Sequence, residues 1–112
     1  MNPTDLSDRY FAHMRSRDID GLASLFTEQA VMILPDGREV AGLAALRGMY
    51  QHIFAAGAPS PTPLATIAGA SGVATEIEAR LPDGTVRHTA NFFHLDAQGR
   101  IARLSVYKRG DW

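Results

Sequence analysis

The chain has 112 residues, 46% of them hydrophobic and 21% charged, the size and composition of one globular domain that can bury a core without covalent staples. Its 11 basic residues nearly cancel its 12 acidic ones, for a net charge of -1, so no basic excess exists to hold a phosphate backbone and nucleic acid is not an expected partner. The absence of cysteine excludes disulfides, thiolate nucleophiles and cysteine-based metal centres. No apolar run approaches the ~20 residues that span a bilayer, and the first residues lack a basic-then-apolar leader pattern. The expectation is a cytoplasmic protein without a membrane partner, organised as a single domain over residues 1–112.

Residues 5–17 place Leu6, Tyr10, Phe11 and Met14 at steps of three and four, the spacing of one buried helical face, with Thr4 or Asp5 as N-cap. Asp18 opens a second, short helix that carries Ile19, Leu22, Leu25 and Phe26 at the same spacing. Residues 30–34, the turn Pro35-Asp36-Gly37 and residues 38–41 have the chemistry of a small hairpin. Gly42 opens a third helix with an apolar stripe of Leu43, Leu46, Met49, Tyr50, Ile53 and Phe54. Residues 57–63 carry three prolines and no periodicity, and read as a connecting loop. Residues 64–68, 73–81, 85–95 and 100–108 are rich in β-branched and aromatic residues and are bounded by turn sequences, the pattern of an antiparallel meander. Helices first and strands afterwards define an α+β protein with its helices on one face of a curved sheet.

The turn Leu81-Pro82-Asp83-Gly84-Thr85 suits a three-residue loop with its glycine in the left-handed region, which pairs Leu81 with Thr85. Counting from that pair, Val73, Thr75, Ile77, Ala79, Arg87, Thr89, Asn91 and Phe93 share one mostly apolar face, which turns toward the helices. The next turn, over residues 96–99, sets Asn91 opposite Leu104, Thr89 opposite Val106 and Arg87 opposite Lys108. Asn91 in the middle of this face, and Arg87 with Lys108 near one end, are costly in a solid core and point to a cavity. The two cations can equally reach past the sheet edge into solvent. As opposed like charges they call for an anion, either a ligand carboxylate or the acidic end of the chain at Asp111 and Trp112. The other face carries Ala90, Phe92, Ile101, Ser105 and Tyr107, enough apolar surface to suggest a homodimer. None of His13, His52, His88 and His94 has metal-ligand spacing, so neither a metal nor a cofactor is expected. His13, one turn after Tyr10, is either a base at the cavity mouth or an ordinary exposed helix residue.

The run RYFAHMRSRDIDGLASLFTEQAVMILPDG, followed by GLAALRGMY, resembles the N-terminal half of bacterial ketosteroid isomerases and of the wider SnoaL-like group of nuclear-transport-factor-like proteins. The likeness is colinear over residues 9–37 and 42–50, returns over residues 85–106, and covers about two thirds of the chain. It implies a cone-shaped α+β fold, with three N-terminal helices on a curved, mostly antiparallel sheet. In those isomerases a carboxylate base moves a proton while a tyrosine and a protonated aspartic acid hydrogen-bond the enolate oxygen. By this resemblance Tyr10 stands at the oxyanion tyrosine and Tyr50 at a second tyrosine able to hydrogen-bond to it. Asn91 stands at the protonated acid, where an amide can still donate, and Leu34 at the general base, where leucine cannot accept a proton.

The resemblance implies a small-molecule enzyme of ketosteroid isomerase or SnoaL type, with Tyr10 and Asn91 catalytic. Its reaction would be isomerisation, cyclisation or water elimination on a small apolar carbonyl compound. Met14, Leu34, Tyr50 and Phe54 would line the pocket from one side and Phe93, Leu104 and Val106 from the sheet, with Arg87 and Lys108 placed for a ligand carboxylate. The alternative is a non-catalytic ligand-binding or dimerisation module of the same fold, favoured by Leu34. An epoxide hydrolase is disfavoured, because Arg87-x-Thr89-x-Asn91 carries no aspartate to activate water.

Overall fold

The first amides of a helix have no partner within it, and here side chains supply one. The computed structural model describes residues 2–57 and 60–110. Asn2 caps α1 (Pro3–Ser16): its side-chain oxygen accepts from the Asp5 amide at 2.9 Å, and the Asp5 carboxylate accepts from the Asn2 amide at 3.4 Å. Pro3 occupies the first turn, where no amide proton is needed, so the helix begins before the Thr4 or Asp5 cap read from the spacing. Asp18 caps α2 (Ile19–Ala23) by accepting from the Gly21 amide at 2.9 Å. The helical spacing through Phe26 is overridden. The Leu25 carbonyl accepts from the Ile101 amide at 2.8 Å, and Phe26 begins β1 (Phe26–Ile33). Pairing with a distant strand outweighs the local period.

A turn leads to β2 (Glu39–Ala41), and Gly42, at a φ of 92°, opens α3 (Leu43–Ala55). Four strands complete the described chain: β3 (Ser60–Gly69), β4 (Gly72–Arg80), β5 (Val86–Leu95) and β6 (Ile101–Arg109). The expected loop over residues 57–63 therefore ends early, with Pro61 opposite Ala79 and Pro63 opposite Ile77. Proline is tolerated there because β3 is an edge strand bonded only to β4. The sheet order is β2-β1-β6-β5-β4-β3, antiparallel throughout except between β1 and β6. Helices on a curved, mostly antiparallel sheet are the α+β architecture that the element order implied.

The β4–β5 register is the one the Pro-Asp-Gly turn dictates. The Leu81 amide donates to the Thr85 carbonyl at 2.8 Å, Gly84 adopts a φ of 87°, and Thr75 lies opposite Asn91. The β5–β6 register differs by two residues from the expected one. Asn91 faces Val106 and Thr89 faces Lys108, so Arg87 and Lys108 are not directly opposed. The loop holds one residue more, with the Asp96 amide donating to the Arg100 carbonyl at 2.9 Å and Gly99 at a φ of 80°, and a bulge between His94 and Leu95 adds the second. The one-residue bulge also reverses the facing of Ile101, which is fully buried rather than part of the outer face.

The core lies between α1, α2, α3 and the concave face, with Leu6, Phe11, Leu22, Leu46, Phe93, Ile101 and Leu104 almost inaccessible. Phe93 is its aromatic centre, edge-on to Tyr10 at 5.0 Å and to Phe11 at 6.3 Å between ring centroids. On the outer face Phe92 and Tyr107 are exposed and meet edge to face at 5.4 Å. Among the described residues no helix is long and apolar enough to cross a membrane. Phe93→Ala should lower the unfolding free energy by about 3–5 kcal/mol. Ile67→Ala, 78% exposed on the edge strand, should change it by less than about 0.5 kcal/mol. Urea denaturation of the two variants checks this, and equal losses would contradict a core centred on Phe93.

Candidate functional site

The concave face and the helices enclose a cavity of about 510 Å³, within the ~300–1,000 Å³ usual for small-molecule sites. Met14, Met32, Leu34, Met49, Ile53 and Val106 make most of its wall apolar. The polar atoms come from Tyr10 on α1, Tyr50 on α3, and Arg87, Thr89 and Asn91 on β5. Alternation along β5 brings the last three to one face, with His88, Ala90 and Phe92 turned away.

Tyr10 and Tyr50 bury all but 4% and 3% of their surfaces, and their hydroxyls meet at 2.8 Å. Two hydroxyls joined by one hydrogen bond use one of their two protons, which leaves the other to donate to a ligand. Burial pushes the Tyr10 hydroxyl up to about 12, against a smaller downward pull from the Tyr50 hydrogen bond. Burial, and then the neighbouring Tyr10, hold Tyr50 well above the ordinary value near 10. Both are therefore neutral phenols at physiological pH, donors rather than bases.

Asn91 sits between Thr75 and Val106 with 6% of its surface exposed. The buried and half-buried side-chain hydrogen bonds among the described residues join Ser7 to Thr75, Tyr10 to Tyr50 and Thr66 to Thr75, and Asn91 takes part in none. A buried amide without a protein partner is costly, and the cavity is where a partner can reach it.

The other candidates separate into wall and support. Met14, Leu34, Val106 and Arg87 border the cavity, Arg87 at the end formed by Pro61 and Ala79. Phe93 and Leu104 lie behind the wall in the solid core. Phe54 backs the Tyr50 ring at 6.2 Å, under the Arg17 guanidinium at 5.6 Å, and does not border the cavity. Lys108 is exposed and borders a separate hollow with Glu76 and His88, outside the cavity lining. His13 turns to Asp18 at 3.5 Å, away from the cavity lining. The acidic chain end at Asp111 and Trp112 lies outside the described residues. Sequence reasoning missed Phe11, Met32, Met49, Ile53, Pro61, Ile77, Ala79 and Thr89 as lining. Ile77 and Ala79 were on the inward face of β4, and Met49 and Ile53 on the apolar stripe of α3, but periodicity alone does not tell a cavity wall from a core.

Residues 7–104 match the SnoaL-like domain, and the chain belongs to that family. No functionally curated protein sequence matches it. Among solved structures it is similar to a protein from Sphaerobacter thermophilus, at 25% identity and a TM-score of 0.81 over 99% of each chain. It is similar to a protein from Kribbella flavida DSM 17836 provisionally named a ketosteroid isomerase, at 19% identity and a TM-score of 0.86 over 96% of this chain and 78% of the other. It also resembles SalBIII, an epoxide hydrolase/cyclase-like enzyme with a role in pyran ring formation in the polyether salinomycin, at 22% identity and a TM-score of 0.82 over 98% and 95% of the two chains. At 19% and 22%, the last two likenesses are of fold.

The tyrosine pair has a measurable consequence at alkaline pH. With the Tyr10 hydroxyl raised in the folded protein from its ordinary 10.0 to about 12, the unfolded chain ionises first. The stability this tyrosine contributes is complete below pH 10 and falls as pH rises toward about 12. Denaturation followed from pH 9 to 12 should show a shallower loss in Tyr10→Phe than in wild type. Identical slopes would contradict a buried, neutral Tyr10.

Proposed function

We propose that the protein binds a small, largely apolar carbonyl compound in this cavity and stabilises negative charge developing on its oxygen, as an enzyme of ketosteroid isomerase or SnoaL type. The observation that carries this reading is the presence, in one apolar cavity, of a buried tyrosine pair with a proton to spare and a buried Asn91 amide with no hydrogen-bond partner among the described residues. Donors fixed in such a wall need no reorganisation as charge develops, and removing one typically costs ~10²–10³ in rate. No carboxylate or imidazole lines the cavity among the described residues. Of isomerisation, cyclisation and water elimination, this favours a step such as intramolecular attack on a polarised carbonyl, which depends less on a buried base at carbon.

The same lack of a base, with Leu34 at the corresponding position, supports a second reading, a ligand-binding module without turnover. A homodimer through the outer face belongs to either reading, supported by exposed Phe92 and Tyr107. The donor arrangement can be tested by supplying the base. Proton transfer by a positioned side chain is worth ~10²–10⁴ in rate. Isomerisation of a β,γ-unsaturated ketone should therefore rise at least tenfold in Leu34→Asp, and Tyr10→Phe in the same chain should remove the gain. A folded Leu34→Asp protein with no gain, or with a gain indifferent to Tyr10, would contradict the proposed donors. Low turnover of this ketone by wild type is expected of either reading, since Leu34 supplies no base.

A further inference from the structure

Asn91 brings an acceptor to the cavity as well as a donor. We infer that the ligand is a cyclic amide on a small aromatic body, a lactam whose C=O and N–H lie side by side and pair with the two ends of the Asn91 amide. This rests on the carbonyl-binding reading above and gives that site its ligand class.

A primary amide carries two N–H donors and an oxygen with two lone pairs. Asn91 is buried to all but 6% of its surface and borders the cavity, and no side-chain hydrogen bond among the described residues uses either end of it. Its neighbours are committed elsewhere. Thr75, opposite it on β4, bonds to Ser7 at 3.0 Å and to Thr66 at 3.4 Å, and Val106, opposite it on β6, is apolar. Tyr10 and Tyr50 bond to each other at 2.8 Å. A plain ketone would accept from the Asn91 nitrogen and leave the Asn91 oxygen facing an apolar wall, which is costly. A ligand that donates as well as accepts satisfies both ends. The amide can turn over about its last bond to meet either order of the two ligand groups.

The oxygen and nitrogen of Asn91 sit side by side, so the matching ligand groups must do the same. In an open-chain secondary amide the trans geometry points C=O and N–H in opposite directions, and the cis form is costly. A small ring holds them cis. Asparagine reads adenine by a two-point contact of this kind. A carboxylic acid has the same arrangement of groups but ionises at neutral pH and loses its donor. Tyr10 packs on Phe93, the next inward residue of β5, at 5.0 Å between ring centroids, so the tyrosine pair lies beside Asn91 along the strand. Its spare proton serves the second lone pair of the ligand oxygen. The body of the ligand meets Met14 on α1, Met32 on β1 and Met49 on α3. Thioethers adapt their shape and make favourable contacts with aromatic rings, so three of them from three elements suit an aryl body.

The test compares hydrocarbostyril, a bicyclic aryl lactam, with β-tetralone, which has a methylene where the lactam has its N–H, and with the N-methyl lactam, which keeps the carbonyl and loses the donor. Calorimetric titration of wild type should show the lactam binding about threefold or more tighter than β-tetralone, the net advantage of one added hydrogen bond. N-methylation should remove that advantage. Asn91→Leu should bring the lactam-to-ketone ratio to unity or below, because the lactam N–H then has no acceptor. Tyr10→Phe should weaken lactam and ketone alike and leave the ratio in place. A lactam no tighter than β-tetralone in wild type, a preference kept by the N-methyl lactam, or one that survives Asn91→Leu would overturn the cyclic-amide inference. The carbonyl pocket would still stand in that case, provided Tyr10→Phe weakens β-tetralone. If none of the probes binds wild type, both fall. Should Asn91→Leu fail to fold, Asn91→Ala decides: a ratio near unity supports the assignment, and an unchanged one overturns it.

Discussion

The hydrogen bond between the Tyr10 and Tyr50 hydroxyls joins α1 to α3 over the concave face of the sheet, and the cavity depends on it. Each ring is also held by aromatic neighbours, Tyr10 by Phe11 and Phe93, and Tyr50 by Phe26 and Phe54. The contacts of Tyr10 are edge-to-face and those of Tyr50 tilted, and such ring contacts define orientation as well as burying area. The two phenols are therefore presented by packed helices rather than by loops, which is what a site acting through fixed dipoles requires. Satisfied by each other, they avoid most of the cost of burying a polar group and still keep one proton to donate.

Asn91 completes that arrangement from the sheet side, and its position follows from turn chemistry. Pro82-Asp83-Gly84 specifies a three-residue loop, the loop specifies that Leu81 pairs with Thr85, and strand alternation then sends Asn91 inward. This part of the fold was legible because a glycine with positive φ followed a proline and an aspartate. The β5–β6 connection was not. Asp96-Ala97-Gln98-Gly99 allows more than one loop length, and no composition marks the bulge after His94. The two-residue slip kept inward residues inward along most of β6, so Val106 stayed on the cavity side, but it moved Lys108 away from Arg87, and the bulge within it turned Ile101 into the core.

Elsewhere the misreadings have tertiary causes. Leu25 and Phe26 keep a helical spacing that pairing with Ile101 overrides, and the prolines at 61 and 63 are compatible with a strand only because β3 is at the edge. In α3, Ile53 and Phe54 both belong to the apolar stripe, yet Ile53 lines the cavity while Phe54 supports Tyr50. A stripe more than ~100° wide faces several environments at once, and sequence spacing does not resolve them. Chemically, the result is a pocket with donors at one end, a cation at the other and apolar walls between, with no base among its described lining residues. The SnoaL-like frame thus holds Tyr10, Tyr50 and Asn91 on its cavity wall, with Leu34 bordering the same cavity.

In the proposed function the remaining proton of the Tyr10–Tyr50 pair and the Asn91 amide donate to one ligand oxygen, and the carbonyl stretching frequency of a bound ketone reports on that directly. Isotope-edited infrared spectra of valerophenone bound to wild type should place its carbonyl stretch below its value in hydrocarbon solvent. Tyr10→Phe and Asn91→Leu should each move it part of the way back, and together most of the way. A bound ketone whose carbonyl absorbs in wild type where it does in hydrocarbon would contradict the account.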